Sequence, residues 1–324
     1  QKEKSKEKKQ IQDTLNSDKK IWTVVQNELQ EIDEKFGDKR RTKIKTIELV
    51  EYNPDDFIEY EDAYLVISKN GWLRKFKTVV EPNTLKYKEN DSLLATVKAN
   101  TREFVAFFTS RGMVYVFKLY NLPYTRTGFG EPIQNLFKFS DGEKVVSVLS
   151  LDPAELAATT KLLTGKTSKK SSRQTRLSFA DGENSGLEGM IVGSSGYGFR
   201  FTLTSLIETT RSGRKLMTLK SDDKLVGFSL VTGDHLFMAS ISGKGIVIPV
   251  EQVALLTGAG MGSRLMKMTN SSLAGFKVVN KNDHSTITLE DEKIKRINIK
   301  DIRVTNRGGQ GVIISKRKKI TAIE

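Results

Sequence analysis

The sequence predicts an all-β fold of five propeller-like blades behind an N-terminal α-helical segment. Three observations carry this expectation. A short hairpin pattern recurs five times along the chain. Its copies are spaced mostly at about 40–50 residues, the period of propeller blades. Residues 1–36, by contrast, repeat apolar side chains at helical spacing.

Two copies of the hairpin are easily read: Val66-Ile67-Ser68-Lys69-Asn70-Gly71-Trp72-Leu73-Arg74-Lys75-Phe76 and Phe107-Phe108-Thr109-Ser110-Arg111-Gly112-Met113-Val114-Tyr115-Val116-Phe117. Each joins two strand-like runs through a polar turn ending in Gly, which tolerates the positive φ that tight turns need. The copies centre on Gly71, Gly112, Gly196, Gly243 and, with Gly replaced, Glu292. Five residues past the anchor every copy is apolar: Phe76, Phe117, Phe201, Ile248 and Ile297. Seven past it stand Leu119, Leu203, Val250 and Ile299, and ten past it Leu122, Leu206, Val253 and Ile302; the first copy has Thr78 and Glu81 instead. A further apolar run closes each repeat, as in Asp91–Val97, Asp141–Val148, Asp223–Phe228, Ser272–Phe276 and Lys318–Ile323. Five hairpins and five closing strands predict five blades of about four strands each. The fifth copy is the most degraded, as befits a terminal repeat.

Within the helical segment, Ile11, Leu15, Ile21, Trp22, Val25, Leu29, Ile32 and Phe36 form one stripe. Such a stripe calls for a partner surface. Asn16 and Ser17 interrupt it, and Gly37 stands where a C-terminal glycine cap belongs. The basic run Gly37–Ile44 leads on as a linker or a phosphate contact. The expected domains are therefore residues 1–47, helical tail and linker, and 48–324, the bladed domain.

One anchor interval is about twice the others. Residues 152–185 fill it and read as an insertion. From Lys161 to Arg176 it carries Lys161, Lys166, Lys169, Lys170, Arg173 and Arg176 with no acidic residue, amid Ser, Thr and Gly. That composition predicts a mobile loop. It fits a DNA-seeking arm and a merely tolerated insertion equally well.

The chain has 324 residues, a length that fits about two domains. Its net charge is +14 and its pI about 9.6, which favours an anionic partner, nucleic acid or a membrane surface. There is no cysteine, so disulfides and thiolate metal sites are excluded; a reducing, cytoplasmic setting is expected. No apolar run approaches membrane-spanning length. The opening Gln1 without an initiator Met suggests a piece of a longer protein.

The loops before the closing strands are rich in Gly and Arg: Arg126-Thr127-Gly128-Phe129-Gly130, Thr210-Arg211-Ser212-Gly213-Arg214-Lys215, Gly258-Ala259-Gly260-Met261-Gly262-Ser263-Arg264 and Arg307-Gly308-Gly309-Gln310-Gly311. Glycine permits close backbone approach, and Arg offers a fork of donors matched to phosphate. Repetition sets one loop on each of four blades, so Arg126, Arg211, Arg214, Lys215, Arg264 and Arg307 are candidate DNA contacts along one rim. Lys75, Arg200 and Arg296 share one column of the second hairpin strand, either as outward cations beside that rim or as edge-strand protection. No enzyme site is visible. His235 and His284 lie outside any metal-spacing cluster, and no nucleophile motif or phosphate loop is present.

These features resemble the C-terminal part of the large DNA-cleaving chain, the A-type chain, of bacterial type IIA topoisomerases, the family of DNA gyrase and topoisomerase IV. The stretch from Glu28-Leu29-Gln30-Glu31-Ile32 to Gly37-Asp38-Lys39-Arg40-Arg41-Thr42-Lys43-Ile44 is similar to the end of that family's breakage-reunion tail and its linker. Ser195-Gly196-Tyr197-Gly198-Phe199-Arg200-Phe201 and Gly243-Lys244-Gly245 resemble its blade turns. The resemblance implies a β-pinwheel that bends duplex DNA for an ATP-dependent enzyme. It also implies a homodimer of A-type chains and a partner B (ATPase) subunit. Mg and ATP belong to the whole enzyme, with no cofactor in this segment, and the catalytic tyrosine lies upstream. Gyrase carries a Gln-Arg-Arg-Gly-Gly-Arg-Gly-like box in its first blade. The first blade here reads Val80-Glu81-Pro82-Asn83-Thr84-Leu85-Lys86-Tyr87, without Gly or Arg. The resemblance therefore leans to topoisomerase IV. The likeness to the box at Arg307–Gly311 keeps gyrase as an alternative, beside a propeller scaffold for acidic proteins.

Overall fold

A computed structural model describes residues 1–38, 42, 58–164 and 186–323. The chain divides into two compact units, Gln1–Tyr52 and Asn53–Glu324.

In the first unit, α1 (Lys2–Leu15) and α2 (Asp18–Phe36) meet at Asn16 and Ser17, as the break in the apolar stripe predicts. Ser17 holds the extended N-cap backbone of α2. Gly37 ends α2, but in an extended rather than a left-handed conformation; its amide donates to the Asp33 carbonyl at 2.7 Å. Trp22, Leu29, Ile32 and Phe36 are exposed along α2.

The second unit is five antiparallel sheets. Sheet one contains β1 (Asp62–Ser68), β2 (Trp72–Phe76) and β3 (Leu93–Asn100). Sheet two contains β4 (Phe104–Thr109), β5 (Met113–Lys118) and, after the two-residue β6 (Glu131–Pro132) and the one-turn helix α3 (Ile133–Leu136), β7 (Val145–Ser150). The third repeat follows a further helix, α4 (Pro153–Thr164), with β8 (Glu188–Gly193), β9 (Tyr197–Thr202), β10 (Arg214–Lys215) and β11 (Leu225–Leu230). The fourth has β12 (His235–Ser240), β13 (Lys244–Pro249), β14 (Ser263–Arg264) and β15 (Leu273–Val279). The fifth has β16 (His284–Leu289), β17 (Ile294–Asn298), β18 (Val312–Ile313) and β19 (Ile320–Ile323).

In each sheet the first hairpin strand pairs with the closing strand of its own repeat. The second hairpin strand of blades one to four pairs with a short strand from the following repeat: β2 with β6, β5 with β10, β9 with β14 and β13 with β18. The fourth strand is thus exchanged forward. Blade five holds three strands among the described residues, β17-β16-β19. Among the described residues the expectation of about four strands per blade is not met there, because no described strand pairs with the second edge of β17.

Exchange explains the anchor column. The turn residues have positive φ, from +72° at Gly112 to +87° at Gly243, with Glu292 at +60°. In blades two to four the anchor carbonyl accepts two amides of the exchanged segment, as Gly112 does from Leu216 and Met217 at 2.9 Å. That segment lies so close that a Cβ on Gly112 would stand 2.6 Å from the Met217 carbonyl oxygen. Glu292 is tolerated because no exchanged strand among the described residues covers it. The apolar columns seven and ten past the anchor are the start and cap of a 3-10 turn: Leu119–Asn121, Leu203–Ser205, Val250–Gln252 and Ile299–Asp301. A three-residue spacing puts both side chains on one side of such a turn, and all eight are buried.

Strand alternation sorts the core. Val105 and Phe107 point toward blade one, Ala106 and Phe108 toward blade three. The buried side chains fall into four clusters, one at each junction between successive blades. Among the described residues none joins blade five to blade one.

The insertion opens as a helix, which runs to Thr164 and so takes in the first residues of the stretch expected to be a loop. Asp152 is buried and accepts hydrogen bonds from the amides of Asn100 at 2.8 Å and Ala154 at 2.9 Å, which starts α4. Leu156 is buried in the cluster between blades two and three, and Glu155 pairs with Lys98 at 3.0 Å. Residues 153–164 are therefore packed helix rather than loop. Lys161 sits in the last turn of α4; Lys166, Lys169, Lys170, Arg173 and Arg176 lie outside the described residues, as does most of the basic run 39–44.

Candidate nucleic-acid interface

Each Gly/Arg loop is the approach to an exchanged strand, and the glycine directly before that strand serves the exchange. Gly130, Gly213, Gly262 and Gly311 stand directly before β6, β10, β14 and β18 with φ of +86°, +66°, +74° and +74°. A Cβ at any of them would run into the strand or ring it crosses: Leu73, Tyr115, Gly198 or Gly245. These four glycines therefore need no phosphate to explain them. The cations remain to be placed one by one.

Arg126 and Arg307 are exposed on the loops leading to β6 and β18. Lys215 and Arg264 are exposed on the exchanged strands themselves, opposite Met113 and Tyr197. Arg126, Lys215 and Arg307 make no side-chain hydrogen bond or ion pair among the described residues. Arg264 donates to the Tyr197 hydroxyl at 2.8 and 3.1 Å, which lowers the phenol's pKa from its ordinary value. Arg211 is exposed but tied to the end of α3, donating to the carbonyls of Asn135 at 2.6 Å and Leu136 at 3.2 Å. Arg214 is half-buried and donates to the Ser205 carbonyl in its own 3-10 turn. Its bond is structural, and it leaves the rim.

The column of Lys75, Arg200 and Arg296 is neither a row of outward cations nor uniform edge protection. Lys75 is 2% exposed. Its Nζ donates to the carbonyls of Leu119 and Leu122 at 2.9 and 3.0 Å, and it lies 4.3 Å from the Tyr124 ring centroid. Burial pushes its pKa down to about 8. Arg200 donates to the Val253 carbonyl at 3.0 Å and pairs with Glu188 at 2.8 Å. Leu122 and Val253 occupy the same place in their repeats, the cap of the 3-10 turn. Lys75 and Arg200 thus bolt one blade onto the turn of the next. Arg296, on blade five, is exposed on β17 and bolts no turn among the described residues.

Two rim cations escape the loop pattern. Lys88 is exposed with its Nζ 3.5 Å from the Trp72 ring centroid and 5.6 Å from that of Phe129. Lys220 is exposed 5.0 Å from the Tyr197 ring, which also carries Arg264 at 5.4 Å. The legible signal was an aromatic directly after the anchor glycine, in Gly71-Trp72 and Gly196-Tyr197, with a lysine three residues before the turn acids Asp91 and Asp223. Among the described residues no cluster of His, Asp or Glu has metal-binding geometry, and no helix is long and apolar enough to cross a membrane.

The gyrase A protein of Dehalogenimonas lykanthroporepellens is 25% identical over 94% of this chain and 42% of its own length. The topoisomerase 4 A protein of Salmonella typhimurium is 25% identical over the whole of this chain and 40% of its own. The chain thus spans less than half the length of these relatives. The solved C-terminal domain of E. coli ParC superposes with a TM-score of 0.61 at 22% identity, covering 82% of this chain and 98% of that one. It supports the fold alone. A family profile described as DNA gyrase C-terminal domain, beta-propeller, matches residues 103–152, 190–232, 234–280 and 290–320. These segments make up more than half of the chain and coincide with blades two to five, so the chain belongs to the DNA gyrase C-terminal domain family of β-propellers.

Proposed function

We propose that this chain binds and bends duplex DNA as the non-catalytic C-terminal domain of a topoisomerase IV-like type IIA enzyme. The observation that carries the reading is the set of exposed cations at the exchanged strands, Arg126, Lys215, Arg264 and Arg307, in a chain of net charge +14. Exposed cations on or just before the exchanged strand of each of four repeats suit a partner that carries many phosphates. In the whole enzyme the domain would work beside a second A-type chain and a B (ATPase) subunit. Mg and ATP would act elsewhere in that assembly, in the bacterial cytoplasm on the nucleoid. The catalytic tyrosine would lie in the part of the relatives that this chain does not span.

Binding to random-sequence duplex should fall steeply with salt. Replacing Arg126, Lys215, Arg264 and Arg307 by Ala should each weaken all sequences alike and shallow the salt slope by about one unit per lost contact. Replacing Arg214 should leave the slope unchanged. Salt-independent binding, or a preference for acidic proteins over duplex, would support the scaffold reading instead.

Bending without strong wrapping follows from blade one. The first repeat has no Gly and no Arg in Val80–Tyr87, and the strand exchanged onto blade one is Glu131-Pro132, with no cation. The box-like Arg307–Gly311 stretch has a structural role in seating β18 on blade four. Bending a short site costs on the order of 1–6 kcal/mol, within reach of several phosphate contacts. Ligating nicked plasmid in the presence of excess protein should therefore change the linking number little. A large positive shift that grows with protein would move the assignment to a gyrase-like wrapping domain.

A further inference from the structure

Two of the anchor-adjacent side chains are aromatic, Trp72 on blade one and Tyr197 on blade three, and both carry an exposed lysine on the ring. The lysines come from equivalent places. Asp91 and Asp223 each accept a backbone amide of the hairpin turn, from Asn70 at 3.0 Å and Ser195 at 2.9 Å. Lys88 and Lys220 each lie three residues before that acid. Blades two, four and five lack the pairing: Met113, Lys244 and Lys293 follow their anchors. The device therefore occurs on blades one and three.

The charge arrangement is unusual for a resting surface. Lys220 and Arg264 converge on the Tyr197 ring, and neither forms an ion pair with a described carboxylate. Lys88 likewise rests on Trp72 and Phe129 without an ion pair among the described residues. Like charges held together without a counter-charge raise the local potential and favour an anion. A lysine on an aromatic face also surrenders its rotamer freedom before any ligand arrives, so less is lost on binding. Both sites adjoin the exchanged loops: Phe129 lies between Arg126 and β6, and Arg264 lies in β14.

We propose that Lys88 and Lys220 are aromatic-clamped phosphate contacts, two fixed anchor points for the DNA backbone on blades one and three. This rests on the reading of the domain as a duplex-binding module.

Trp22 and Trp72 are the two tryptophans, so Trp22→Phe leaves Trp72 as a single reporter beside Lys88. In that background, titration with random-sequence duplex should change Trp72 emission. Lys88→Met and Lys220→Met should each weaken binding about 3- to 10-fold at low salt and shallow the salt slope by about one unit. Lys86→Met, a neighbour on no ring, should weaken it less than either. Trp72→Phe should bind close to the parent and Trp72→Leu worse, with a thermal melt of each variant establishing that it is folded. If Lys88→Met and Lys220→Met bind like the parent while Arg264→Ala loses affinity, the clamp idea falls and the duplex-binding reading stands. If the parent shows no salt-dependent duplex binding, both fall together.

Discussion

Replacing Phe108 by Ala is expected to destabilise the protein by about 3–5 kcal/mol, the range for a large aromatic removed from a packed core. Phe108 is fully buried in β4 and faces blade three. Its ring stacks on that of Phe228 in β11 with centroids 4.5 Å apart and planes 4° from parallel. Beside this contact the Phe228 amide donates to the Ser147 hydroxyl of blade two at 3.1 Å. The truncation thus opens a cavity at the junction between two blades rather than inside one. Chemical denaturation should show the loss as a lower midpoint. A change in slope as well would mean that blades two and three had uncoupled. Phe228→Ala should cost a similar amount. The double variant should cost less than the two summed, because the rings share one contact.

Gly262→Val should be comparably damaging and act through the backbone. Gly262 has φ +74° directly before β14, and any Cβ there meets the carbonyl of Gly198 in β9. The left-handed conformation alone costs a non-glycine residue roughly 1–2 kcal/mol. The clash then pushes β14 off β9, which removes the Ser263–Gly198 and Arg264–Tyr197 pairing. A total loss of about 3 kcal/mol or more is expected by thermal or chemical denaturation. DNA affinity should fall as well, because Arg264 leaves the Tyr197 ring. Gly128→Ala is the control. Gly128 has φ +85° but open space around its Cβ position, so only the conformational cost should remain.

The fold was largely legible because its hairpin rule is local. The apolar run Phe104–Phe108 and the positive-φ residue at each anchor depend on near neighbours, so the five hairpins and closing strands can be read directly. The exchanged strands were not legible. Each is two residues long, and its partner belongs to the preceding repeat, so no local period marks it. Read alone, Arg211-Ser212-Gly213-Arg214-Lys215 looks like a loop with three equivalent cations. Tertiary context makes Arg214 a half-buried donor to Ser205, ties Arg211 to α3 and leaves Lys215 alone of the three without a partner among the described residues. Lys75 misleads for the same reason: a lysine in a strand reads as outward until the next repeat folds over it. The helix of residues 153–164 was missed because its Ala- and Thr-rich sequence has little amphipathic contrast. Its anchor, Leu156, is a single buried side chain.

Forward exchange also imposes an order on synthesis. The hairpin of blade one leaves the ribosome with β2 bare, and its outer strand, Glu131–Pro132, follows only after the whole hairpin of the second repeat. At roughly 5–20 residues per second the wait lasts several seconds, and the same wait passes to each blade in turn. At any moment one hairpin edge is therefore unfinished, and it is always the newest. Chains stalled between repeats would present that edge to one another, and two neighbours on one message could complete each other's sheets. In the fifth blade the turn carries Glu292 in place of Gly, and no exchanged strand among the described residues lies against it.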